Sequence, residues 1–175
     1  MSLTDIGVLV LRLGLGLTFA AHGAQKAFGW WGGPGPARWR GAIEGMGFTP
    51  SSPFAAISTA IELVGGLLVA IGVATPLAAA ALVAQSIVIV IHAHWPKGFF
   101  STAGGYEHPL LLGLVAASIC LIGAGALSID AALGLHPDGR VRLICLAVGI
   151  VAGAVAVLVP RGLGERLGRG GVRRT

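Results

Sequence analysis

Charge is what this sequence most lacks. Only 11% of its 175 residues are Asp, Glu, Lys or Arg, against roughly 25% in soluble globular domains. With 55% hydrophobic residues and a mean hydropathy of +0.86, the chain is excluded as a soluble domain. Cysteine is nearly absent. Cys120 and Cys145 lie in apolar runs without a CxxC spacing, which argues against a disulfide framework or a zinc site, and no metal is expected. Acidic residues number 7 against 12 basic ones, yet a basic surface for nucleic acid is a poor reading. Arg161, Arg166, Arg169, Arg173 and Arg174 crowd the last stretch of chain, where a basic tail beside an apolar span meets anionic lipid. The N-terminus lacks a Lys/Arg-led segment and a cleavage site, so the first apolar run is expected to be retained.

What the chain has in abundance is long apolar runs, and about 20 such residues cross a hydrocarbon core about 30 Å thick. Five spans are expected, at about 6–28, 55–73, 77–93, 109–127 and 141–159. Strand edges are untenable in lipid, so the fold class is all-α: a polytopic transmembrane helical bundle. The 29 glycines suit helices whose backbones approach closely. The expected organisation is a four-span bundle over residues 1–134 with an amphipathic first loop at 29–52, a further span at 135–160, and a basic tail at 161–175. In that loop Trp30 and Trp31 fit an interfacial aromatic belt. Trp39, Ile43 and Met46, at i, i+4 and i+7, predict a short helix over 37–46 lying on the membrane surface. Lys/Arg counts place this loop and the tail in the cytoplasm and the N-terminus outside, in a bacterial inner membrane.

Ionisable residues inside spans cost roughly 2.5–3.5 kcal/mol each on insertion scales and are functional candidates by default. The first span carries Arg12, His22, Gln25 and Lys26, which fall within a sector of roughly 140° on a helix. The second carries Glu62, the third ends in His92 and His94, and the fourth begins with Tyr106, Glu107 and His108. An up-and-down bundle brings the end of span 1, the start of span 2, the end of span 3 and the start of span 4 to one membrane face. The expected ligand pocket there is lined by His22, Lys26, Glu62, His92 and Glu107 and capped by Trp30 and Trp31, with Lys26 and Glu107 neutralising each other at the rim. Snorkelling to the interface accounts equally well for His92 and His94. Arg12 and Asp130 meet near the opposite face, where a structural ion pair is expected.

The stretches LRLGLGLTFAAHGAQKAFG (11–29), IELVGGLLVAIGVATPLAA (61–79), GGYEHPLLLGLVAA (104–117) and GAGALSIDAALG (123–134) together resemble the DoxX family of membrane proteins. The resemblance covers about residues 6–134. The fifth span and Arg-rich tail lie outside the family's usual four helices, and the Gly-Pro stretch of the first loop is longer than is common. It implies a four-span membrane protein associated with redox work. Residue by residue, the family pattern touches Arg12, His22, Lys26, Glu62, His92, Glu107 and Asp130.

Three function classes follow. The first is a quinone-interacting redox subunit in which Glu62 or Glu107 exchanges protons with the head group. The second is a non-catalytic accessory subunit assembling a membrane redox complex with partner proteins. The third is a small-solute or proton carrier built around Glu62. Quinone is the candidate cofactor. Haem is disfavoured, because no second histidine pair accompanies His22 and His92. No catalytic residue is assigned, and a homo-oligomer is compatible with the sequence.

Overall fold

Backbone amides in hydrocarbon have no water to bond, and this chain satisfies them with helices throughout. The computed structural model describes the backbone of residues 2–170 and the side chains of residues 2–159; among these it is all-helical, without a strand. Helix α1 (Leu3–Phe28) begins with a capping box between Ser2 and Asp5. A short helix α2 (Gly35–Gly45) follows. The second span α3 (Ser51–Ile71) and third span α4 (Thr75–Lys97) are joined by a tight turn at Gly72. Helix α5 (Glu107–Ile122), the one-turn α6 (Ile129–Ala132) and the long α7 (Gly139–Gly170) complete the chain.

Among the described residues, four helices are long and apolar enough to cross a membrane: α1, α3, α4 and residues Gly139–Val159 of α7. The expected fourth span is shorter than the sequence predicts, ending at Ile122 rather than near 127. Gly123 takes a positive φ of 89° there. Arg142, reaching over from α7, donates to the carbonyls of Leu121 and Ile122. A cation thus satisfies the exposed end of the helix, where orphan carbonyls and the negative end of the dipole sit. The basic tail expected at 161–175 lies outside the described side chains.

Packing fixes the direction of each helix. Gly16 of α1 lies against Gly66 and Ala70 of α3, where an added Cβ would fall 2.5 Å from the Gly66 carbonyl, so only glycine permits this approach. Gly65 instead faces Leu82 of α4. Cys120 of α5 donates to the Pro76 carbonyl and Gly113 faces Ser86, which makes α5 antiparallel to α4. Gly149 and Gly153 of α7 meet Ala80 and Ala84, so α7 runs parallel to α4. The chain therefore traverses the bundle five times.

The bundle keeps its charged and amide side chains among an apolar core and turns large apolar side chains outward. Arg12, Glu62, Gln85, Ser86 and Asp130 are buried, while Leu13, Leu17, Leu114, Ile144 and Val151 are exposed. That inversion suits lipid as solvent. At the end opposite His22, His94 and His108, Asp130 and Arg12 are both almost wholly buried, yet they do not form the direct ion pair that the sequence predicts. Asp130 accepts from the backbone N–H groups of Ala74 (2.7 Å) and Thr75 (2.9 Å), capping the N-terminus of α4. Arg12 donates to the Leu127 carbonyl and feels the carboxylate by Coulomb attraction alone. The local backbone won, because two N–H donors at a helix start are fixed in place and demand a partner.

Five traversals put the two ends of α7 on opposite faces. Reporter fusions after Asp138 and after Thr175 are expected to report opposite compartments. The same compartment for both would remove α7 as a span.

Candidate functional site

The site starts from two departures from α-helical winding. Residues Ile61–Gly65 of α3 and Val90–His94 of α4 each form a π-helical turn, a local widening that recurs at functional sites. The first carries Glu62 and the second His92 and His94. Each inserts residues into the helix face at an angle that regular 3.6-residue winding would not give.

Glu62 is 1% exposed. Its Oε1 lies 2.5 Å from Nζ of Lys26, forming the one ion pair among the described residues. The sequence reading paired Lys26 with Glu107, and the structure corrects it. Glu107 instead accepts from the backbone N–H and hydroxyl of Ser101 (3.0 and 3.1 Å), tying down the loop between α4 and α5. Gln85 of α4 also donates to Glu62 Oε1 (3.0 Å) and to the Ser58 hydroxyl (2.6 Å). Three spans are therefore joined through one carboxylate. Lys26 Nζ additionally sits 3.9 Å from the ring centroid of Trp39 on α2, a cation–π contact.

Beside this pair lies a cavity of about 650 Å³. Its walls are mostly apolar, from Phe19, Ile57, Val88 and Leu112 among others. Lys26, Glu62, Gln85, His22, His94 and His108 supply the polar groups. Helix α2 closes it from above, with Trp39 and Ile43 joined by Met46 and by Phe48 and Phe54 beyond. The amphipathic stripe expected to rest on lipid is thus spent on the bundle. Either apolar partner satisfies such a stripe; the cavity is the one it has.

Of the expected pocket residues, His22, Lys26 and Glu62 line the cavity, whereas Trp30, Trp31, His92 and Glu107 do not. Trp30 packs against Phe28 and meets Trp31 edge to face, and both tryptophans are over half exposed, as an interfacial belt requires. His92 turns against Phe48 (ring centroids 5.0 Å apart), with its Nε2 3.2 Å from the Val157 carbonyl of α7. The ring facing His22 is His108, at 6.4 Å between centroids, rather than His92. His94 donates from Nδ1 to the Gly104 carbonyl (2.6 Å), which leaves Nε2 as an acceptor in the neutral ring. Gln85 and Trp39 are site residues that the reading of single motifs passes over. The signal for Gln85 was present: an amide within ALVAQSIVIV carries the same burial cost as any other mid-span polar group.

A family model described as DoxX matches residues 7–95, just over half of the chain. The match takes in α1 to the end of α4, and so Lys26, Trp39, Glu62, Gln85 and His94; the segments at 104–117 and 123–134 lie beyond it. No curated protein and no solved structure matches the chain.

Removing one partner of a buried pair strands the other. Lys26→Met should cost about 3–5 kcal/mol, while Lys26→Met with Glu62→Leu should recover much of that loss. Thermal unfolding in detergent, compared across the two singles and the double, checks this. A double variant as unstable as both singles combined would mean that the two charges do not act as a pair.

Proposed function

The chain belongs to the DoxX family, and from that premise we propose that it is a membrane-embedded subunit that binds a quinone-type lipid in the cavity beside Lys26 and Glu62. The observation that carries this reading is the combination of an apolar chamber of about 650 Å³ with a single charged pair in its wall. Ligand sites of about 300–1,000 Å³ are lined mainly by apolar groups, with a few polar ones that fix orientation. A quinone offers a flat ring, a long apolar tail and two oxygens. The ring and the start of the tail match Phe19, Ile57, Val88 and Leu112, and the Trp39 indole N–H is a donor suited to one of the oxygens.

Proton handling follows from the same groups. A quinol releases protons as it gives up electrons. Glu62 and the histidines His22, His94 and His108 are acceptors of a kind suited to taking them. The electrons would pass to a partner oxidoreductase, so the chain acts as a binding and proton-handling subunit of a membrane redox assembly. The site faces the side of the bundle that also carries Lys97, Arg38 and Arg40, whose charges favour a cytoplasmic placement in a bacterial inner membrane.

Protein extracted in mild detergent should carry a quinone-type lipid, counted in either redox form, at close to one per chain, measured by mass spectrometry of the bound lipid. Ala156→Phe, which projects a ring into the chamber from α7 without touching the ion pair, should lower that occupancy at least about tenfold while leaving thermal stability within about 1 kcal/mol. Wild-type protein with only bulk phospholipid bound, or an Ala156→Phe variant with undiminished quinone, contradicts the proposal.

A further inference from the structure

Two buried polar atoms, on residues that line the cavity, are left over once the hydrogen bonds are assigned. Lys26 and Gln85 both bond Glu62 through Oε1, and Oε2 of the same carboxylate is buried with no partner. The indole Nε1–H of Trp39 is likewise buried with no partner. Both residues line the cavity. Leaving such a group unpaired costs about 1–3 kcal/mol, and more when it is charged. Lys26 touches both residues, since its Nζ contacts Oε1 of Glu62 and rests on the face of the Trp39 ring.

One leftover atom is an acceptor and the other a donor. A ketone oxygen can take the indole proton, but it then presents lone pairs to a carboxylate and gains nothing from Glu62. An ether oxygen is in the same position. A hydroxyl can do both, accepting from Trp39 Nε1 and donating to Glu62 Oε2.

We infer that the cavity reads the hydroxyl-bearing, reduced form of its ligand, a quinol or a related phenol with an apolar tail, through Trp39 and Glu62. This rests on the cavity being a ligand site, and it adds which redox form the site holds. A subunit with this preference collects quinol from the bilayer and lets quinone go. Sites built to bond a hydroxyl reject analogues that lack it far more strongly than apolar pockets reject a missing methylene.

The test uses a redox-silent pair of probes, para-heptylphenol and its methyl ether, titrated by calorimetry into the full-length protein in lipid nanodiscs. The phenol should bind at least about tenfold more tightly than the ether. Trp39→Phe keeps an aromatic face under Lys26 while removing the N–H, and should shrink that ratio several-fold by weakening the phenol alone. Glu62→Gln should shrink it too, because a carboxamide can donate to the ether oxygen. Equal affinities in the wild type would overturn the inference while leaving the cavity as a ligand site, with water satisfying the two atoms. A ratio unchanged in Trp39→Phe would also overturn it. Binding of neither probe would overturn the cavity reading, and this inference with it.

Discussion

The bond between Lys26 and Glu62 sets the register of the bundle's interior. Each residue alone would be a costly passenger in a hydrocarbon-embedded helix. Each becomes tolerable only if α1 and α3 lie close enough for the side chains to meet, and Gly16 and Gly66 allow that approach. Gln85 then ties α4 to the same carboxylate. Three spans thus share one electrostatic constraint, and a shift of any of them along its axis by a turn would leave a charge without its partner.

Around that constraint the fold leaves a chamber rather than filling it. The two π turns widen α3 and α4 where they face it, and α2 folds its apolar stripe over the opening. The far end is treated differently. There Asp130 caps α4, Arg12 reaches the Leu127 carbonyl, and Arg142 satisfies the end of α5, so the charges are spent on backbone. One end of the molecule is locked by its polar groups and the other keeps them beside a cavity. Such a division suits the ligand-binding role proposed for this member of the DoxX family.

The spans were legible because hydropathy alone demands them, and α1, α3 and α4 fall within a few residues of their expected positions. The polar face of α1 was legible in part for the same reason: Arg12 and Lys26 look inward, while His22, on the same side, is exposed at the cavity. Their partners were not. A π turn adds a residue to a helical turn and rotates everything after it, and no residue type in IELVG announces it. Glu107 was read as the partner of Lys26 because both lie at the same end; the loop hydroxyl of Ser101 is closer and took it. His108 and His92 are equivalent on a diagram of helix ends, and only the packing of α7 against α4 turns His92 toward Val157 and leaves His108 opposite His22. The surface helix was correctly placed along the chain, but amphipathicity names a stripe and not the apolar partner beneath it.

The central claim, that the chamber beside Lys26 and Glu62 takes a ring-bearing lipid, is tested most directly by photoaffinity labelling in native-like membranes. A quinone analogue carrying a diazirine next to its ring, competed by excess unlabelled analogue, would be mapped by peptide sequencing. Competed adducts are predicted on chamber residues, above all Trp39 and Met46 from α2 and its C-terminal cap and His94 from α4. Adducts spread along the lipid-facing side of α7, at Ile144, Val148 and Val151, and insensitive to competitor would contradict the account.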